Sequence, residues 1–136
     1  MTTTEYRGGC LCGAIRFVAH GAPKVVAYCH CPSCRRSAGA PVTAWAMFDI
    51  KDFAIEQGKP STYASSPGVE RSFCGQCGTA LTYTGEGIPG LIDVTVGSFD
   101  DPDSLPPQLH IWDSKKISWI DDAHGLPRHP GLPRGP

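Results

Sequence analysis

Seven cysteines fall in three tight groups: Cys10 and Cys12; Cys29, Cys31 and Cys34; Cys74 and Cys77. Nothing else in the sequence restricts the fold as strongly. Two cysteines two or three positions apart can grip one ion from a single turn, whose backbone amides donate to the sulfurs. Gly13 and Gly78 each follow a cysteine and permit that tight turn. An odd number of cysteines fits disulfides badly, because one thiol would be left unpaired. The N-terminal stretch MTTTEYRGG has no apolar run, so neither a signal peptide nor a membrane anchor is expected. A reducing, cytoplasmic setting follows, in which thiols persist. Zinc ligation is the expected use of these thiols.

A structural zinc site is usually closed by four thiolates supplied as two pairs. Cys10/Cys12 and Cys74/Cys77 supply such pairs and would tie the N-terminal strands to the middle of the chain. In a chain of this size a metal clip does folding work. Cys29, Cys31 and Cys34 then remain, and three thiolates leave a tetrahedral ion one position short. That is the pattern of an open, catalytic site, where water or substrate takes the fourth place. Other uses are compatible with the same residues. All seven cysteines could serve one zinc, with the surplus as buried thiols. His30 could close a site of three cysteines and one histidine, although adjacent residues of a strand point to opposite faces. A redox role for the C-x-x-C pairs lacks the βαβ setting it needs.

The chain has 136 residues, enough for one domain with a modest core. Its 16 Gly and 13 Pro leave little room for long helices, so a mostly β fold is expected. Strands are predicted near 16–19, 25–28, 42–48, 53–56, 62–63, 69–73, 79–83, 91–96 and 110–112. One or two helical turns should start at Cys31, with Pro32 in the first turn and Gly39 at the end. Residues 1–124 read as a single zinc-binding β domain, and residues 125–136 as a Pro/Gly-rich tail, extended or disordered. Trp45, Trp112 and Trp119 are expected in the core. The net charge of −1, made more negative by thiolates, argues against nucleic-acid binding.

Several stretches resemble the family of glutathione-dependent formaldehyde-activating enzymes, which also contains centromere protein V. They are Gly9-Cys10-Leu11-Cys12-Gly13, Tyr28-Cys29-His30-Cys31-Pro32-Ser33-Cys34-Arg35, Gly39-Ala40-Pro41 and Phe73-Cys74-Gly75-Gln76-Cys77-Gly78-Thr79. The stretches Val96 to Pro102 and Pro107 to Trp112 also match, so the resemblance runs from about Gly8 to about Pro127. It implies small antiparallel sheets in a zinc-stabilised β-tent. It also implies a structural zinc on Cys10, Cys12, Cys74 and Cys77, and a second, labile zinc on Cys29, Cys31 and Cys34 near a glutathione site. The implied reaction joins glutathione and formaldehyde, a carbon–sulfur lyase chemistry. This chain is compact, with a short loop where enzymatic members carry more sequence.

On this reading a small-molecule thiol, glutathione or similar, binds at the open three-cysteine site and attacks a small aldehyde. Arg35 or Arg36 is a candidate partner for a substrate carboxylate, and each could equally be a solvated helix face. His110 is a candidate proton shuttle, or a hydrogen-bonded histidine beside Trp112. Asp100, Asp101 and Asp103 read as turn formers. The competing expectation is a zinc-stabilised module without catalytic activity that recognises a protein partner.

Overall fold

The computed structural model describes residues 3–133. Ten strands and one short helix follow in order: β1 (Glu5–Gly9), β2 (Arg16–His20), β3 (Val25–Cys29), α1 (Pro32–Ala38), β4 (Thr43–Asp49), β5 (Phe53–Gln57), β6 (Ser61–Ser66), β7 (Val69–Phe73), β8 (Ala80–Gly85), β9 (Leu91–Thr95) and β10 (Leu109–Ile111). The fold is mostly β, as expected, with short elements set by frequent turns. Strands β1, β2 and β5 form a small antiparallel sheet. The other seven form a larger one in the order β10-β3-β4-β9-β8-β7-β6. One pairing departs from the antiparallel expectation: β10 lies parallel to β3, with Leu109 opposite Ala27 and Ile111 opposite Cys29. A parallel pair needs a long crossover. The Pro- and Asp-rich stretch after β9 provides it and leaves β10 on the sheet edge.

The core lies between the two sheets. Phe17 of β2, Phe48 of β4, Leu81 of β8 and Val94 of β9 are almost fully buried there. Phe99 meets Phe17 edge-on at 5.1 Å between ring centroids and meets Phe48 at 6.1 Å. Such contacts favour one arrangement of the rings over a loosely packed cluster. Cys10 and Cys74 belong to this core, whereas Cys29 and Cys34 pack with Trp45 in a second cluster. The fold thus sends the sulfurs to two separate places.

Of the three tryptophans expected inside, only Trp45 is buried. Trp112 and Trp119 are 61% and 57% exposed. Both follow β10, where the chain forms short 3-10 turns with no further strand to cover them. A last turn, Ile120–Gly125, precedes the expected tail. The tail's final residues, 134–136, lie outside the described residues, as do residues 1 and 2. Among the described residues no helix is long and apolar enough to cross a membrane.

Gly8 sits where β1 crosses over the loop that carries Phe99. A methyl group there would collide with the carbonyl of Ser98, the Phe17 ring and the Cα of Phe99. Two of these are backbone atoms that cannot turn away. Gly8→Ala should therefore destabilise the protein by about 1–3 kcal/mol through overpacking. Urea unfolding checks this, and an unchanged midpoint would mean that the sheets separate easily here.

Candidate metal centres and the hollow above one of them

Two similar turns build the first sulfur group. In the turn after β1, the Gly13 amide donates to the Cys10 carbonyl and the Ile15 amide to Cys10 Sγ, at 3.1 and 3.2 Å. In the turn after β7, the Gly78 amide donates to the Cys74 carbonyl and the Gln76 amide to Cys74 Sγ, at 2.8 and 3.4 Å. Gly13 and Gly78 have φ near +80° (82° and 81°), a conformation that side chains resist. The turns face each other, and the Leu11 amide donates to the Thr79 hydroxyl across the gap at 3.0 Å. Cys10, Cys12, Cys74 and Cys77 therefore bring four sulfurs within 4.8 Å of one another. Cys10 and Cys12 are 3.6 Å apart and Cys12 and Cys74 3.8 Å, and all seven cysteines are free thiols. The Thr79 hydroxyl, then the Thr79 amide, draw the Cys77 thiol down to about 5. This donor set fits a metal ion: four converging sulfurs with backbone amides aimed at two of them.

The second group comes from one run of chain. Strand β3 ends at Cys29, and Cys31 caps α1, its Sγ accepting from the Cys34 amide at 3.3 Å. Pro32 starts the helix and Gly39 ends it in the left-handed conformation. Cys29, Cys31 and Cys34 place three sulfurs within 4.8 Å of one another. His30 does not join them. Its ring lies on the opposite side of the chain, where Nε2 is 2.8 Å from Nδ1 of His110. The alternation of neighbouring residues separates it from the sulfurs.

Above the three cysteines lies a hollow of about 440 Å³. Trp45, Met47, Tyr83, Ile88, Ile111 and Trp112 form apolar walls, and Arg71, Asp93 and Lys115 bring charge. Arg35 and Arg36 do not line it, and His110 faces away with His30. The cation that meets the sulfurs is Arg71 of β7, which sequence spacing does not connect to them. Its guanidinium donates to Cys34 Sγ from both terminal nitrogens at 3.7 and 3.6 Å. Its Nε donates to the Ser65 hydroxyl at 3.1 Å, and the group lies 4.9 Å from the centre of the Tyr83 ring. Arg71 is 7% exposed and makes no ion pair with a carboxylate among the described residues. A buried guanidinium stays charged and needs a counter-charge. Cys34 supplies it. The Cys29 thiol donating to Cys34, then Cys31 and Arg71, hold Cys34 down at about 5, while Cys29 is pushed far up. Burial, then the nearby Cys34 charge, raises the Asp93 carboxyl to about 6. The only sequence hint of Arg71 was its place in a strand three residues before Cys74.

Fold and site together define a β protein with two sulfur-rich, metal-competent centres, one of four cysteines and one of three beneath a hollow. Residues 5–115 match the family described as glutathione-dependent formaldehyde-activating enzyme, and the chain belongs to this family. An uncharacterized lyase of Schizosaccharomyces pombe is 38% identical over 79 residues, which span 58% of this chain and 57% of that protein. The chain thus aligns with little more than half the length of that relative. A Halomonas elongata protein that bears the family's name is 30% identical over 124 residues, 84% of this chain and 78% of its own. A crystal structure of a Rhodobacter sphaeroides protein shares the fold, with a TM-score of 0.60 and 20% identity. It covers 76% of this chain and 98% of its own.

Two outcomes follow from the charges in the hollow. Arg71→Met keeps the bulk and removes the cation. In metal-free protein it should slow iodoacetamide labelling of Cys34 at pH 6 roughly five- to tenfold, as the thiolate is lost. Mass-spectrometric mapping reads this, and equal labelling would remove Arg71 as the counter-charge. Asp93 has a folded pKa of about 6, above its ordinary value of 3.8, so the native state holds its proton longer than the unfolded chain. Its contribution to stability is full below pH 3.8 and is lost as pH rises through about 6. Asp93→Asn should therefore gain little at pH 4 and about 1–2 kcal/mol at pH 7, with partial exposure discounted. Urea unfolding at both pH values checks the difference, and a gain independent of pH would contradict it.

Proposed function

We propose that this chain is a carbon–sulfur lyase that joins or separates a thiol and a small aldehyde in the hollow above Cys29, Cys31 and Cys34. Glutathione is the proposed thiol and formaldehyde the proposed aldehyde. One observation carries the reading: three sulfurs converge at the floor of an apolar-walled hollow with a buried guanidinium against them. Family membership and the names borne by the relatives support it. Zinc is the proposed ion at both centres, structural on Cys10, Cys12, Cys74 and Cys77, and functional on Cys29, Cys31 and Cys34. A zinc ion held by three thiolates supplies a Lewis-acid position that favours the thiolate form of an incoming thiol.

The remaining work falls to the chain's own side chains. Arg71 offsets the negative charge of Cys34 and fixes the floor of the hollow. Trp45, Tyr83, Ile111 and Trp112 give the hollow apolar walls, which weaken solvent screening of the charges at its floor. Lys115 stands at the rim, where a carboxylate of a peptide-like thiol can pair with it. Asp93 takes the thiol proton and returns it to the aldehyde oxygen. The new bond joins substrate sulfur to aldehyde carbon, the π pair moves to oxygen, and the thiol proton ends there as a hydroxyl. The reverse direction uses the same groups. A cytoplasmic setting fits a reaction that needs reduced thiols.

Exchange spectroscopy by NMR on equilibrated glutathione and formaldehyde tests this. Zinc-loaded protein should raise the exchange rate between free thiol and its hydroxymethyl adduct. Chelator-treated protein and Cys31→Ser should lose the effect. Asp93→Asn, which leaves every sulfur in place, should lower it roughly a hundredfold. A rate no higher than that of the two reactants alone, at full zinc occupancy, would refute the proposal.

A further inference from the structure

Behind the three-cysteine group lies a second set of ligand-type side chains that the proposed reaction does not use. His30, His110 and Asp113 each bring one ligand atom to within 4.8 Å of the others. We propose that they form a third metal-binding site, distinct from both sulfur centres, that takes a divalent transition ion through imidazole nitrogen and carboxylate oxygen. The proposal is independent of the lyase reading.

Local structure places the three residues. His30 follows β3, and its amide donates to the Ile111 carbonyl of β10 at 3.1 Å. His110 lies on β10 opposite Tyr28, whose ring stacks on it at 5.3 Å between centroids. Asp113 opens the 3-10 turn that follows. His30 is 2% exposed, yet its Nδ1 is a buried polar atom without a hydrogen-bond partner among the described residues. An unpartnered buried nitrogen is costly unless something engages it. Its other nitrogen, Nε2, lies 2.8 Å from His110 Nδ1, so the two imidazoles have one proton between them at that contact. An ion bound between the rings would replace that shared proton and engage both nitrogens, and stacking on Tyr28 fixes the plane of His110.

Charge around the group supports a cation. Asp121 lines the adjoining hollow of about 160 Å³ together with Tyr28, His30 and His110. Lys116 stands between the carboxylates, 3.9 Å from Asp113 and 2.7 Å from Asp121. Its contact with Asp113 is the longer of the two, so an ion would take over that carboxylate while Lys116 keeps Asp121. Two imidazoles and a carboxylate form a borderline-hard donor set that suits nickel, cobalt or zinc. The thiolate groups form a softer one, so nickel can be used to address the nitrogen site while zinc stays on sulfur. Alternation along β10 sends His110 to this side and Ile111 to the hollow above the cysteines. An ion here would pin the wall of that hollow from behind.

The test uses untagged, zinc-loaded full-length protein dialysed against nickel(II). Elemental analysis should find about one nickel per chain with the zinc content unchanged. NMR should show paramagnetic broadening of the His30 and His110 ring protons, and the melting temperature should rise. His110→Ala and Asp113→Asn change exposed side chains and should fold normally. Each should weaken nickel uptake at least tenfold and lose the rise in melting temperature, while His124→Ala should behave like the wild type. No nickel uptake by wild type at tenfold excess would overturn the proposal. So would uptake that survives in both His110→Ala and Asp113→Asn, or nickel gained only as zinc is lost.

Discussion

Bringing many thiols together in a small protein raises an electrostatic problem that organises the rest of the fold. Each thiolate formed beside another is opposed by its neighbour's charge, so a cluster needs a cation, a network of donors, or both. The first sulfur group is met by amide and hydroxyl donors and supplies four sulfurs from two facing turns. The second has fewer amides and recruits a buried arginine from a strand distant in sequence. The charge is met by backbone and hydroxyl donors in one group and by a side-chain cation at the floor of a hollow in the other.

Much of this was legible in the sequence because cysteine spacing is geometric information. Cys10/Cys12 and Cys74/Cys77 sit in turns whose glycines announce their backbone conformation, and the structure brings the two turns together. The short helix was readable from Cys31, Pro32 and Gly39, since a cap, a proline and a left-handed terminator follow in order. The mostly β character followed from frequent turns and from alternation in strands such as β4.

What was not legible depended on contacts between distant strands. Arg71 looks in sequence like a strand residue with an outward charge. Only the packing of β7 and β8 beside α1 turns it onto Cys34. Arg35 and Arg36 are adjacent to the cysteines in sequence, yet a helix of 3.6 residues per turn carries them away from the sulfurs that Cys34 faces. The parallel placement of β10 was hidden for the same reason: three residues carry too little pattern to reveal a partner. That pairing decides that His110 meets His30 rather than the hollow, and it leaves Trp112 and Trp119 without a covering layer.

Strand β7 has a mechanical role as well as a chemical one. Its end runs into Cys74 of the four-cysteine group, and three residues earlier it presents Arg71 to the other group, a separation of about 10 Å along an extended chain. The turn at Cys74 therefore fixes one end of the strand that carries the cation beside Cys34. A backbone shift at Cys74 would move the Arg71 guanidinium relative to Cys34, although none of Cys10, Cys12, Cys74 and Cys77 lines the hollow. The two cysteine groups are separate in space, yet three residues of chain join a ligand-type sulfur of one to the counter-charge of the other.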